Sequence, residues 1–116
     1  MPREIIITSP DPPHIDTLTT AVEHLDQHLT ILHSPDQAVT QITDHDGRPV
    51  LTITINSARH VRVDNEPTRL LPGALPAPCW WTEAWDHDEP GDIGSQIARD
   101  LANRIGGRCH IPGDTA

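Results

Sequence analysis

The run Cys79-Trp80-Trp81-Thr82-Glu83-Ala84-Trp85 holds all three tryptophans of a 116-residue chain that has no Phe and no Tyr. Aromatic side chains dominate core and interface energetics, so the fold, a binding surface or both must be organised around this one segment. Along an extended chain Trp80 points to one side while Trp81 and Trp85 point to the other. Glu83 shares the side of Trp81 and Trp85 and marks it as the wetter one. The expectation is Trp80 in the core under the helices, beside Leu25, Leu29, Ile97 and Leu101. Trp81, Glu83 and Trp85 then form a contact surface for a partner, because tryptophan is enriched among binding hot spots.

The rest of the chain supplies elements around this strand. Glu4 to Thr8 is apolar and β-branched, which reads as a buried strand, and Ser9-Pro10-Asp11-Pro12-Pro13 ends it. Ile15, Leu18, Val22, Leu25, Leu29 and Leu32 recur at three- and four-residue steps, which predicts one helix from His14 to Leu32. Asp11 would cap it, with Pro12 at its first position. Two β-rich runs, Ala38 to Thr43 and Pro49 to Asn56, flank Asp44-His45-Asp46-Gly47 and predict a hairpin. Leu51, Ile53 and Ile55 alternate with Thr52, Thr54 and Asn56, as in a sheet with one wet side.

A turn at Ser57-Ala58 leads to a short strand, Arg59 to Val63. A proline-rich loop, Asn65 to Pro78, is pinned to the body by Leu70, Leu71 and Leu75. After the tryptophan strand, Asp92 caps a second helix running to Ile105, Gly106-Gly107 stops it, and Arg108 to Ile111 forms a last strand. The order is β-α-β-β-β-β-α-β. It predicts one α+β domain over residues 1–116, with its ordered core at about residues 3–112. The sheet is expected to be mixed, with five or six strands and both helices on one face; a crossover through the second helix would join parallel strands.

Composition narrows function. With 17 acidic residues against 8 basic ones the formal charge is −9. Nucleic acid and anionic membrane surfaces need a basic footprint and are not expected partners. A protein with a basic or apolar patch fits this charge better, and a homodimer is compatible with it. No apolar run approaches a membrane span, and no signal-peptide pattern stands at Met1-Pro2-Arg3-Glu4. Two cysteines, Cys79 and Cys109, are too few for a disulfide framework, so reduced thiols in a cytoplasmic protein are expected, close together in space if the crossover juxtaposes their strands.

Catalytic patterns are lacking. No Walker loop, dinucleotide fingerprint or nucleophile elbow is present, so no enzyme, catalytic residue or cofactor is expected. Among eight histidines, His24 and His28 stand four apart on the predicted helix, but no third ligand accompanies them. The tripeptides Asp44-His45-Asp46 and Asp86-His87-Asp88 would make a weak cation site only if their turns met. Both features read better as solvated polar surface than as metal ligands.

Several segments follow one another in a distinctive order: Asp46-Gly47-Arg48-Pro49-Val50-Leu51, Glu66 with Arg69-Leu70-Leu71, Pro78-Cys79-Trp80-Trp81-Thr82-Glu83-Ala84, then Ile97-Ala98, Leu101-Ala102 and Ile105-Gly106-Gly107. This progression, over residues 38–112, resembles an actinobacterial family of unknown function encoded near type VII (ESX) secretion genes. The Trp-Trp-Thr-Glu-Ala strand is its most specific part. The family has no established catalytic residues, so the resemblance implies a setting rather than a mechanism. The leading expectation is a non-enzymatic protein-binding module, such as an accessory or chaperone-like factor for type VII secretion. The alternatives are an immunity protein that neutralises a toxin through its acidic surface, and a histidine-based metal-binding protein.

Overall fold

The structure, a computed structural model, describes residues 2–25, 28–62, 71, 73–87 and 93–111. The described elements are β1 (Arg3–Ser9), α1 (Ile15–Leu25), β2 (Thr30–His33), β3 (Thr40–Thr43), β4 (Pro49–Ile53), a 3₁₀ turn (Ile55–Ser57), β5 (Arg59–Val61), β6 (Cys79–Asp86), α2 (Ile93–Arg104) and β7 (Arg108–His110). The class is α+β, with seven strands and two helices among the described residues. The strands form one sheet in the order β2-β3-β4-β6-β1-β7, and β5 also pairs with β6.

Every ladder is antiparallel. The parallel relation expected at the C-terminal crossover survives in a different form. β6 and β7 both run antiparallel to β1, so they are parallel to each other with β1 between them. β4 and β5 lie along the same side of β6, at Ala84–Asp86 and Cys79–Trp81 respectively. The 3₁₀ turn separates them, and Thr54 closes that gap by donating both its N–H and its hydroxyl to the Glu83 carbonyl.

Both helices cover one face. Ile5, Ile7, Ile42, Leu51, Ile53 and Ala84 from the strands pack with Leu18 and Val22 of α1 and Ile97, Ala98 and Leu101 of α2. A smaller apolar cluster sits on the opposite face, where Ile6, Val61, Cys79 and Trp81 lie under Leu71, Leu75 and Ala77. This second layer explains the unbroken Ile5-Ile6-Ile7 run. β1 is central and covered on both sides at this point, so neither side of it can be polar.

The first helix is shorter than its leucine spacing predicts. It ends at Leu25, which is 37% exposed, and Thr30–His33 forms β2 instead, paired along its length with β3. Leu29 still packs against the core, but Leu25 and Leu32 are exposed and Ile31, outside the stripe, packs inward instead, so beyond Val22 the spacing reports burial only in part and the backbone type wrongly. Asp11 does not cap α1. The first helical hydrogen bonds return to the His14 carbonyl, because Pro13 disfavours helical geometry at Pro12. The expected Asp92 cap lies outside the described residues, as do Val63 at the end of the predicted strand and Leu70.

The second helix ends as expected. Gly106 adopts a left-handed conformation (φ 68°), and the N–H of Gly107 reaches back to the Ala102 carbonyl at 2.8 Å. At the helix start, Asp86 is buried to 1% exposure and accepts hydrogen bonds from Arg3 Nη2 (3.0 Å) and Ser95 Oγ (2.5 Å). This cluster ties the end of β6 and the start of β1 to the first turn of α2.

Candidate functional site on the helix-free sheet face

The strand registers place one row of side chains straight across the helix-free face. Glu4 is opposite Trp85, Trp85 opposite Thr52, Thr52 opposite Gln41, and Gln41 opposite Leu32. Five strands thus contribute one residue each. At the usual interstrand spacing the row is about 19 Å long. Its members are accessible: Trp85, Thr52 and Gln41 are half-buried, Glu4 is exposed, and Leu32 is 50% exposed.

The centre of the row is held by hydrogen bonds. Gln41 Nε2 lies 3.4 Å from Thr52 Oγ1, and Thr52 Oγ1 lies 2.8 Å from His87 Nε2. The His87 N–H donates to the Val50 carbonyl at 2.8 Å, which extends the β4–β6 pairing one residue beyond the strand. The floor beside Trp85 is therefore pre-arranged. An apolar group stands at the β2 end and a carboxylate at the β1 end.

The three sequence candidates on this face separate. Trp81 is 8% exposed and belongs to the small core cluster beneath Leu71, Leu75 and Ala77. The Arg59 guanidinium lies 5.9 Å from its ring centroid. Trp81 is thus a packing residue rather than an accessible contact, because Leu71, Leu75 and Ala77 lie over this end of the face. Two bonds hold these residues down, Leu75 N–H to Thr8 Oγ1 (3.2 Å) and Arg108 Nη1 to the Gly73 carbonyl (2.8 Å), and Thr8 Oγ1 lies in turn 3.2 Å from His110 Nε2. Burial, and secondarily the Arg108 charge, holds the His110 imidazole below its ordinary pKa.

Glu83 is half-buried and faces Arg59 at 3.5 Å, at the border between the covered and open halves. Trp85 alone of the trio lies in the accessible row. Trp80 does point to the helix side, as predicted. It lies at the end of β6, opposite Ser9 and His60, where it stays half-buried and contacts the His60 ring with centroids 4.8 Å apart. It is not part of the core beneath the helices.

The histidine features come apart as well. His24 is exposed, 3.9 Å from Asp100 on the neighbouring helix. Asp86 and His87 fall at the same end of the sheet as the Asp44-His45-Asp46 turn, since His87 bonds Val50 beside the β3–β4 hairpin, while Asp88 lies outside the described residues. Among the described residues no three His, Cys, Asp or Glu side chains converge as a metal site. Cys79 and Cys109 are not joined in a disulfide; they lie on opposite faces of the sheet, each against one of the two apolar clusters, and so are not the close pair the crossover suggested. The chain matches no protein-family model, no curated protein and no solved structure.

Glu4, Gln41, Thr52 and Leu32 were not singled out by sequence as site residues. Thr52 carried a signal, because it alternates with Leu51 and Ile53 on the wet side of its strand. Leu32 was hidden by its assignment to the helix. No described helix is long and apolar enough to cross a membrane.

Proposed function

We propose that the chain is a non-enzymatic protein-binding module whose partner docks on the helix-free face, on the row Leu32–Gln41–Thr52–Trp85–Glu4, with Glu83 at its border. The observation that carries this reading is the placement of Leu32, 50% exposed, and a half-buried tryptophan in one row on the same side of one sheet, with Gln41 and Thr52 between them. An accessible aromatic and an accessible apolar side chain on one face, with polar groups between and beside them, supply anchor residues of the kind enriched at interfaces. The acidic balance of −9 favours a partner with a basic rim around an apolar patch. An actinobacterial, cytoplasmic setting beside type VII secretion, with an accessory or chaperone-like role, belongs to the same proposal and rests on the Trp80-Trp81-Thr82-Glu83-Ala84 resemblance.

The test is affinity capture from an actinobacterial host with the wild-type chain, Trp85→Ala and Leu32→Ser. Circular dichroism establishes that each variant is folded. The proposal expects a partner that is retained by wild type and lost by both variants. Retention by both variants would overturn it.

A further inference from the structure

β2 is the outer strand of the sheet, and among the described residues nothing pairs with its free edge. The direction of its backbone groups follows from the hairpin. The Ser34 N–H donates to the Val39 carbonyl at 2.9 Å, and the pairs Leu32–Gln41 and Thr30–Thr43 continue that register. Hydrogen-bonded pairs recur at every second residue of an antiparallel ladder. Leu32 and Thr30 therefore bond inward to β3, and the N–H and C=O of Ile31 and His33 point outward.

Natural sheets blunt such edges with lysine, proline or an inward-pointing charge. Thr30-Ile31-Leu32-His33 has none of these, and proline comes only at Pro35. The side chain of Leu32 stands on the helix-free face at 50% exposure. A strand added to this edge would bond Ile31 and His33 and set one residue directly opposite Leu32, on the same face. An apolar side chain there would cover the leucine.

Charge then selects the occupant. The His33 end of β2 runs into Asp36, whose carboxylate is kept below its ordinary pKa first by the Ser34 hydroxyl and then by the Ala38 N–H. The Thr30 end lies beside Thr43 and the following Asp44, kept low chiefly by the Arg48 N–H, with exposed Asp46 next to it. Arg48 is the one cation in that turn. An antiparallel second copy would bring the Asp36 end of one chain to the Asp44 end of the other, like charge against like.

The geometry points to β2 as a strand-addition site for an extended segment of another protein, with an apolar residue at its centre and basic residues at both ends. This deepens the proposed function and rests on it: the added strand would continue the sheet at the Leu32 end of the binding row.

The probe is the peptide acetyl-Lys-Thr-Thr-Val-Thr-Thr-Lys-amide, with a twin carrying Glu in place of both Lys, titrated to millimolar concentration against the isotopically labelled chain. The expected result is slowed amide exchange at Ile31 and His33 with the Lys peptide and none with its twin. His33→Pro removes an outward donor that no internal ladder uses, and should abolish the effect while the spectrum stays folded. Asp36→Asn with Asp44→Asn should weaken binding by about fivefold, the scale of two exposed charge pairs. Equal binding of both peptides, protection elsewhere or nowhere, or a β2-paired dimer of the peptide-free chain in sedimentation would overturn the proposal. Loss of partner capture by Trp85→Ala without peptide protection at β2 keeps the face and removes the edge. Peptide protection at β2 with partner capture unaffected by Trp85→Ala does the reverse.

Discussion

Gly94 offers a test in which helix propensity and packing predict opposite signs. It is the second residue of α2, and alanine in a helix is favoured over glycine by up to about 1 kcal/mol. Propensity alone predicts that Gly94→Ala stabilises the domain. A Cβ built there, however, would sit 2.5 Å from Asp86 Oδ1, 2.7 Å from the Val50 carbonyl oxygen and 2.9 Å from Asp86 Cγ. Neither neighbour can give way easily. The Val50 oxygen is backbone and already accepts the His87 N–H, and Asp86 is fixed by Arg3 and Ser95. Overpacking of this kind costs about 1–3 kcal/mol, and moving Asp86 would also loosen its buried bonds. The net expectation is destabilisation by about 2 kcal/mol, or a melting temperature lower by roughly 5–10 °C for a domain of this size. Thermal unfolding followed by circular dichroism gives the answer. An unchanged or higher melting temperature would refute the close approach of α2 to the end of β6.

Further expectations follow from the same geometry. Trp81→Ala should cost about 3–5 kcal/mol as a buried large-to-small change, whereas Trp85→Ala should cost clearly less, so denaturant unfolding should rank them in that order. His110 has a folded pKa below its unfolded one, so the unfolded chain takes up a proton more readily. Stability should therefore fall as pH drops through about 6.5, and level off once the folded-state histidine also protonates. His110→Asn should flatten that part of the profile, measured as melting temperature against pH. Gln37 sits at φ 59° in the β2–β3 turn, so Gln37→Gly should raise stability by about 1 kcal/mol, read as a higher denaturation midpoint.

Much of the architecture is legible in the sequence because it depends on local signals. Asp46-Gly47 between two β-rich runs marks the β3–β4 hairpin, and the Ile97, Ala98, Leu101 stripe closed by Gly106-Gly107 marks α2 almost to the residue. The first helix fails where local pattern and long-range pairing compete. Leu25, Leu29 and Leu32 fit a helical stripe, but Thr30–His33 gains a full ladder with β3, and pairing outweighs spacing. The tryptophan strand shows the same division. Alternation correctly separates Trp80 from Trp81 and Trp85. It carries no information about what lies over each side, and the covering of Trp81 by Leu71, Leu75 and Ala77 is a contact between distant segments. The binding row is less legible still. It exists only through four independent registers joining β1, β6, β4, β3 and β2, and no single strand contains more than one of its members.

The central claim, that a partner docks on the helix-free face, is tested most directly by hydroxyl-radical footprinting of the chain alone and in complex with the partner it captures. Side-chain oxidation reports the accessible members of the row, and Trp81 serves as an internal control that is already covered in the free chain. The account predicts that complex formation lowers oxidation at Trp85 and Leu32 and leaves Leu25, on the opposite side of the sheet, unchanged. Protection of Leu25 with undiminished oxidation of Trp85 and Leu32 would contradict it and place the partner on the helices.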